Sequence, residues 1–197
     1  MSDRSQTTDI AFTPAVRAMQ QRLGTRDRME AMAQRRGFQT EITPDLAAFI
    51  AARDSVFLAT ATAEGQPYIQ HRGGEPGFLA VVDDHTLRFD DLPGNSQYLT
   101  LGNLSENDRV HVFLIDYETR IRIKIWGKAR ILNAEGHRQI EIVVAAWDRN
   151  CAKHLPSLYA AGTMSRVTEQ LTGRIAELEA ALARCEAHRS ACPPSRD

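Results

Sequence analysis

A mostly β fold with flanking helices, in the α+β class, is predicted by three observations. Apolar residues recur at helical spacing over roughly the first fifty positions. Alternation at a period of two then takes over from Ser55 to Trp147, in short runs separated by turns. Helical spacing returns after Pro156. Short hairpins with few strand–helix alternations call for an antiparallel sheet of six or seven strands and argue against a doubly wound nucleotide fold.

The N-terminal helices are marked by their ends. Thr13-Pro14 pairs a cap residue with a favoured first-turn proline, Gly24 stops the segment, and Val16, Met19 and Leu23 share a face. A second helix is expected between Thr25 and Gly37, with Met29 and Met32 on one side. A third starts at Thr43-Pro44-Asp45, with Leu46, Phe49 and Ile50 aligned.

The β region opens with Ser55–Thr62, turns at Ala63-Glu64-Gly65-Gln66 and returns through Pro67–Arg72. Gly77–Val82 and Thr86–Asp90 form a second hairpin around Asp83-Asp84-His85. A short helix is expected over Gly94–Leu101, followed by a loop from Asn103 to Asp108. Further strands are Arg109–Asp116, Ile121–Leu132 and Gln139–Trp147. In the second of these, alternation sends Arg122, Lys124 and Trp126 to one face and Ile121, Ile123 and Ile125 to the other. The last helix carries Met164, Thr168, Leu171, Ile175, Leu178, Leu182 and Cys185 in a strict a/d repeat, expected to pack on the barrel or on a partner subunit. The organisation read from these signals is a helical extension over 1–42, a β domain over 43–154, a helix over 155–190 and a disordered tail over 191–197.

Bulk properties exclude several classes. The net charge of −1 gives no footprint for nucleic acid, and the seven arginines against four acids in the first forty residues read as a solvated face. No apolar run of membrane-spanning length occurs, and the first residues lack the apolar core of a signal peptide. Three cysteines without a CxxC pair fit a reducing cytoplasm. Neither GxGxxG nor a Walker A sequence is present.

Four segments could carry chemistry. Gln70-His71-Arg72-Gly73-Gly74 offers cationic donors and bare backbone, which suits a phosphate or a planar heterocycle; read blandly, it is a strand end with solvated charges. Asp90-Asp91-Leu92-Pro93-Gly94-Asn95-Ser96-Gln97 places small polar residues at an expected helix start, where free N–H groups favour phosphate; the alternative is an ordinary capped helix. Arg122, Lys124 and Trp126 present cations and a stacking surface, or a solvent-facing barrel strand. Cys151 and His154 lack a second Cys/His pair and an oxyanion motif, so the segment reads as a loop with a buried cysteine and no metal site.

Taken together, these segments resemble the pyridoxamine 5'-phosphate oxidase-like split barrels that bind flavin. The resemblance is carried by Val56–Ala61, Gly65-Gln66-Pro67-Tyr68, His71-Arg72-Gly73-Gly74, Gly77-Phe78-Leu79, Gly94–Tyr98 with Gly102-Asn103-Leu104, Asp108–Tyr117 and Lys124–Arg130. It covers roughly 43–154. It implies an antiparallel split β-barrel with FMN in a groove between the two subunits of a homodimer. His71, Arg72 and Gly73 would border the flavin; Asn95, Ser96 and Gln97 would lie at the phosphate; Gln70, Gly74 and Asp91 are expected among the other cofactor contacts. Arg122, Lys124 and Trp126, with Trp147 close by, would help form the groove. NADH or NADPH is the electron donor such a protein would use.

The chain differs from close relatives in having Ser96 where they often carry Arg. It also lacks the C-terminal Arg-x-His signature of the vitamin B6 oxidases, so that activity is not expected. An FMN-dependent oxidoreductase is the leading expectation. The alternatives are a flavin-binding or flavin-sensing protein without turnover, and a haem-binding split barrel using His71 or His154.

Overall fold

Each strand of the sheet is built on alternation, and the alternation shows which side is core. A computed structural model describes residues 6–134 and 137–191; of the tail expected over 191–197, Ala191 is the last residue of a helix and the rest lies outside the described residues. The chain divides into two units. One comprises the chain up to Asp116 with Arg120–Leu155, the other Tyr117–Thr119 with the chain from Pro156.

In the first unit, a single 3₁₀ turn, Gln6–Thr8, precedes α1 (Pro14–Arg22), α2 (Arg26–Arg35) and α3 (Pro44–Ala51). Two of these helices start as expected. The Thr13 hydroxyl accepts from the Val16 N–H, and the Thr43 hydroxyl from the Leu46 N–H, each at 3.3 Å with proline in the first turn.

Seven antiparallel strands follow in the order β2-β1-β5-β6-β7-β4-β3. They are β1 (Ser55–Ala61), β2 (Pro67–Gly73), β3 (Ala80–Asp83), β4 (Thr86–Asp90), β5 (Arg109–Asp116), β6 (Ile121–Ala134) and β7 (His137–Asn150). Strand β3 begins at Ala80, three residues later than the alternation suggested. The first hairpin closes where Gly65 takes φ +90°, a region glycine enters freely. The inward residues Leu58, Leu87, Leu114, Ile125, Ile140 and Ile142, with Ile50 of α3, are at most 1% exposed and form one core. This is the predicted α+β architecture, a seven-stranded antiparallel split barrel with flanking helices.

Helix α4 (Leu99–Glu106) departs from expectation. It starts five residues late and runs through most of the expected loop. The preceding residues cannot be helical, because Ser96 (φ 60°) and Tyr98 (φ 54°) are left-handed. The helix is anchored from inside: Asn103 Nδ2 donates to Thr60 Oγ1 at 2.9 Å, both residues being buried, and Asn107 Nδ2 donates to the Thr62 carbonyl at 3.2 Å.

The second unit holds α5 (Ala161–Ala191), with Arg174 paired to Glu177 at 2.8 Å along its surface. Among the described residues, no helix is long and apolar enough to cross a membrane.

Candidate functional site

Strand β2, the loop after β4 and the start of α4 enclose a cavity of about 180 Å³. It is lined by Gln70, Arg72, Asp91, Asn95, Ser96 and Gln97, which come from two segments singled out in the sequence, and by Tyr98, Leu99, Thr100 and Arg138. At its floor, Arg72 Nη1 lies 3.1 Å from Asp91 Oδ1. Arg138 Nε donates to the other oxygen of the same carboxylate at 3.0 Å. Two guanidiniums against one carboxylate leave one formal positive charge. The Arg72 side chain is 15% exposed and its Nε is buried without a hydrogen-bond partner. The surplus positive charge of the two guanidiniums favours an anion in the cavity.

Arg72 is therefore not the solvated strand-end charge that the sequence allowed. Pairing with Asp91 and packing over Phe89, 5.9 Å to the ring centre, hold it in place. Gln70 reaches the same cavity because β2 alternates, and Gln70 Oε1 accepts from Thr100 Oγ1 at 2.8 Å, tying β2 to the start of α4. Asn95 and Gln97 are bonded to each other: the Gln97 backbone N–H donates to Asn95 Oδ1 at 3.2 Å, and Asn95 Nδ2 donates to Gln97 Oε1 at 3.1 Å. Residues 95–97 thus form a side-chain-braced loop at the cavity, not the first turn of a helix. That turn, from Leu99, lines the cavity as well.

His71 points the other way, with Nε2 2.7 Å from Ser55 Oγ and its ring edge-on to Phe57. The glycines beside it serve the chain's own packing. A Cβ on Gly73 would sit 2.9 Å from His71 Cε1 and 3.1 Å from the Asp54 carbonyl oxygen; one on Gly74 would sit 2.7 Å from Phe78 Cβ. His71, Arg72, Gly73 and Gly74 line a neighbouring cavity of about 350 Å³ with Phe78 and Phe89, and residues 92–94 border both cavities.

The other expected site residues lie elsewhere. Arg122, Lys124 and Trp126 share the outer face of β6 and line neither cavity. Phe38 stacks on Trp126 with ring centres 5.0 Å apart and planes 6° apart, and His111 meets it edge-on at 5.1 Å. Burial and the nearby Lys124 ammonium hold the His111 imidazole below its ordinary pKa of 6.5. Lys124 pairs with Asp148 at 3.4 Å, and Arg122 donates to the Cys151 carbonyl at 2.6 Å. Trp147 pairs across from Ile125, so it lies on the face opposite Trp126, where its Nε1 donates to the Glu41 carbonyl at 2.7 Å. Cys151 is exposed, not buried as its loop reading had it.

Arg138 escaped the sequence reading. Its role depends on β4 lying beside β7, where Asp90 faces Gln139, and on the Asp91 N–H donating to the Arg138 carbonyl at 2.8 Å. Only its position just before an apolar strand was visible in the sequence.

Several solved structures are similar to this chain. A pyridoxamine 5'-phosphate oxidase-like protein from Lactobacillus delbrueckii is 14% identical, with 56% of this chain and 95% of that one covered at a TM-score of 0.46. HupZ from Group A Streptococcus is 19% identical, with 61% and 99% covered at 0.45. An FAD-binding protein from Mesorhizobium loti is 15% identical, with 55% and 94% covered at 0.42. No curated protein sequence matches. The family profile of pyridoxamine 5'-phosphate oxidase matches residues 42–180, which take in the whole barrel and part of α5. The chain belongs to the pyridoxamine 5'-phosphate oxidase family.

Proposed function

We propose that this chain is an FMN-dependent oxidoreductase that takes the phosphate end of the flavin between Arg72 and Arg138. The observation that carries the reading is the shared carboxylate of Asp91, which leaves one formal positive charge on two guanidiniums, Arg72 and Arg138, that both line the cavity. A dianionic phosphate would complete that arrangement with charge-assisted hydrogen bonds. At about 180 Å³ the cavity falls below the roughly 300–1,000 Å³ typical of small-molecule sites, so it suits the phosphate end alone. The adjoining cavity beside His71, Gly73 and Gly74 gives room for more of the molecule.

When bound, FMN would supply two-electron redox chemistry with a nicotinamide donor. The protein's own part is to hold the phosphate through Arg72 and Arg138, and to fix the 95–97 loop through the Asn95–Gln97 bonds. Arg122, Lys124 and Trp126 enter the reading through a homodimer in which a second subunit brings its β6 face to the flavin; Phe38 would have to leave Trp126 for a ring to stack there. His71, considered for iron, has Nε2 2.7 Å from Ser55 Oγ, a bond that would have to break for this nitrogen to ligate a metal.

The test is a titration of the purified protein with FMN and with riboflavin, followed by anaerobic addition of NADH or NADPH. FMN should bind at least about tenfold tighter, the worth of one charge-assisted contact. Equal affinity would overturn the phosphate site. Tight FMN binding without reduction by either donor would leave a flavin-binding protein and overturn the oxidoreductase.

A further inference from the structure

We infer that α5 is a dimerisation helix that pairs in parallel and in register with α5 of a second copy of this chain. The apolar residues of α5 recur at alternating steps of four and three, which makes Thr168, Ile175 and Leu182 the a positions and Met164, Leu171, Leu178 and Cys185 the d positions. This seam is open: Met164, Leu171, Ile175, Leu178 and Leu182 are 47–61% exposed. A helix of 31 residues with such a seam has buried little of its apolar surface, and a 3.5-residue period is the pattern that a second helix covers.

Charge and side-chain shape identify the second helix as a copy. The e and g positions that flank the seam include Arg174 at g and Glu179 at e, five residues apart. In a parallel pair, g of one helix meets e of the next heptad on the other, so Arg174 faces the Glu179 position of its copy, twice by symmetry. Antiparallel pairing sets e against e and g against g, and loses this match. Ile175 at a, with Leu171 and Leu178 at d on either side of it, is the combination that favours two strands. Arg174 now pairs with Glu177 on its own surface at 2.8 Å; both side chains are about two-thirds exposed, so the contact offers little resistance to sharing the guanidinium. The same geometry places Cys185, an exposed thiol at a d position, opposite its own copy.

The experiment is disulfide trapping in the full chain, with Cys151→Ser and Cys192→Ser leaving Cys185 as the only thiol. Mild oxidation at micromolar concentration should give a covalent dimer on a non-reducing gel. Met164→Cys with Cys185→Ser should do the same, because Met164 is also at d. Leu171→Glu with Leu178→Glu should abolish the product, while the melting temperature of the barrel shows that the fold is kept. Arg174→Glu should lower the yield at short times by roughly fivefold, for two lost ion pairs turned repulsive, and adding Glu179→Arg should restore it. Absence of cross-linking from each single thiol would overturn the inference. So would cross-linking that appears only when Met164→Cys and Cys185 are in the same chain, the antiparallel signature, or a yield indifferent to the two leucine changes.

Discussion

Arg72 lies 3.1 Å from Asp91, and this pair joins β2, one edge of the sheet, to the end of β4 near the other edge. Arg138 holds the second oxygen of the same carboxylate at 3.0 Å. One buried acid therefore aligns two cations at a cavity built from segments far apart in sequence.

Removing Arg138 separates binding from folding, and removing Arg72 changes both. Arg138→Ala leaves Asp91 paired with Arg72 and removes a partly exposed side chain, so the fold should lose less than about 1 kcal/mol. FMN should bind roughly tenfold more weakly, while riboflavin should be unaffected. Arg72→Ala should weaken FMN by roughly 10- to 100-fold and also lower the melting temperature, because its side chain is 15% exposed and packs over Phe89. Fluorescence titrations and thermal melts of both variants give the answer. An Arg138→Ala protein that loses FMN and riboflavin equally would count against a phosphate contact.

Acid should weaken the fold through Glu141. This buried carboxylate lies between Arg88 and Arg130 on the outer sheet face, accepting from Arg88 Nε at 3.1 Å and Arg130 Nε at 2.7 Å. Hydrogen bonds from Arg88, then Arg130, hold its pKa below the ordinary 4.5. The unfolded chain then binds more protons than the folded one just below that pH, so the stabilisation is complete above about pH 4.5 and fades as the pH falls through the lowered pKa. His111, also lowered, works in the same direction just below pH 6.5, where the unfolded imidazole takes up a proton that the folded one resists. Denaturant unfolding measured from pH 7 to pH 3 should show stability falling in two windows. Glu141→Gln should flatten the lower one and His111→Gln the upper. A slope unchanged by Glu141→Gln would show that the two arginines do not set the lower window.

Phe38 should matter to the fold more than its place before the barrel suggests. It is 5% exposed, stacked on Trp126 and edge-on to Phe12 at 5.7 Å. Phe38→Ala should cost about 3 kcal/mol, as for a large buried ring, and should shift Trp126 emission to the red as water reaches the indole. An unchanged melt and spectrum would show that the stack does not form in solution.

Signals confined to a few neighbouring residues were legible in the sequence. Thr13-Pro14 and Thr43-Pro44 start their helices by a cap bond within one turn, and Arg109–Asp116 is a strand with the bounds its alternation suggested. The start of α4 was not legible, because Ser96 and Tyr98 enter the left-handed region without being glycine, and local side-chain bonds hold the loop there. The lining of the candidate cavity was legible where it depends on one strand or loop, as for Gln70, Arg72, Asp91 and residues 95–97. It was hidden where it depends on register: Arg138 needs the pairing of β4 with β7, and the face of Trp147 follows from its pairing with Ile125. Phe38 covers Trp126 through a tertiary contact that no local pattern encodes.

Two glycine substitutions should move stability in opposite directions. Gly127 sits at the irregularity where β6 shifts register against β7, between Trp126 and Gly127. A Cβ there would lie 2.5 Å from the Val143 carbonyl oxygen and 3.0 Å from Ile142 Cγ2. The first of these is backbone inside a paired strand, and Ile142 is fully buried, so neither can yield without disturbing the ladder or the core. Gly127→Ala should therefore cost about 3 kcal/mol or more, the upper end of overpacking effects. Gly102 is the control. It lies within α4, is exposed, and has nothing within 4 Å of the point where a Cβ would stand. Gly102→Ala should raise stability by roughly 0.5–1 kcal/mol through helix propensity alone. Chemical denaturation of the two variants beside the parent measures both changes. A Gly127→Ala protein as stable as the parent would mean that β6 and β7 are not in this register, and with it the opposite faces assigned to Trp126 and Trp147 would fall.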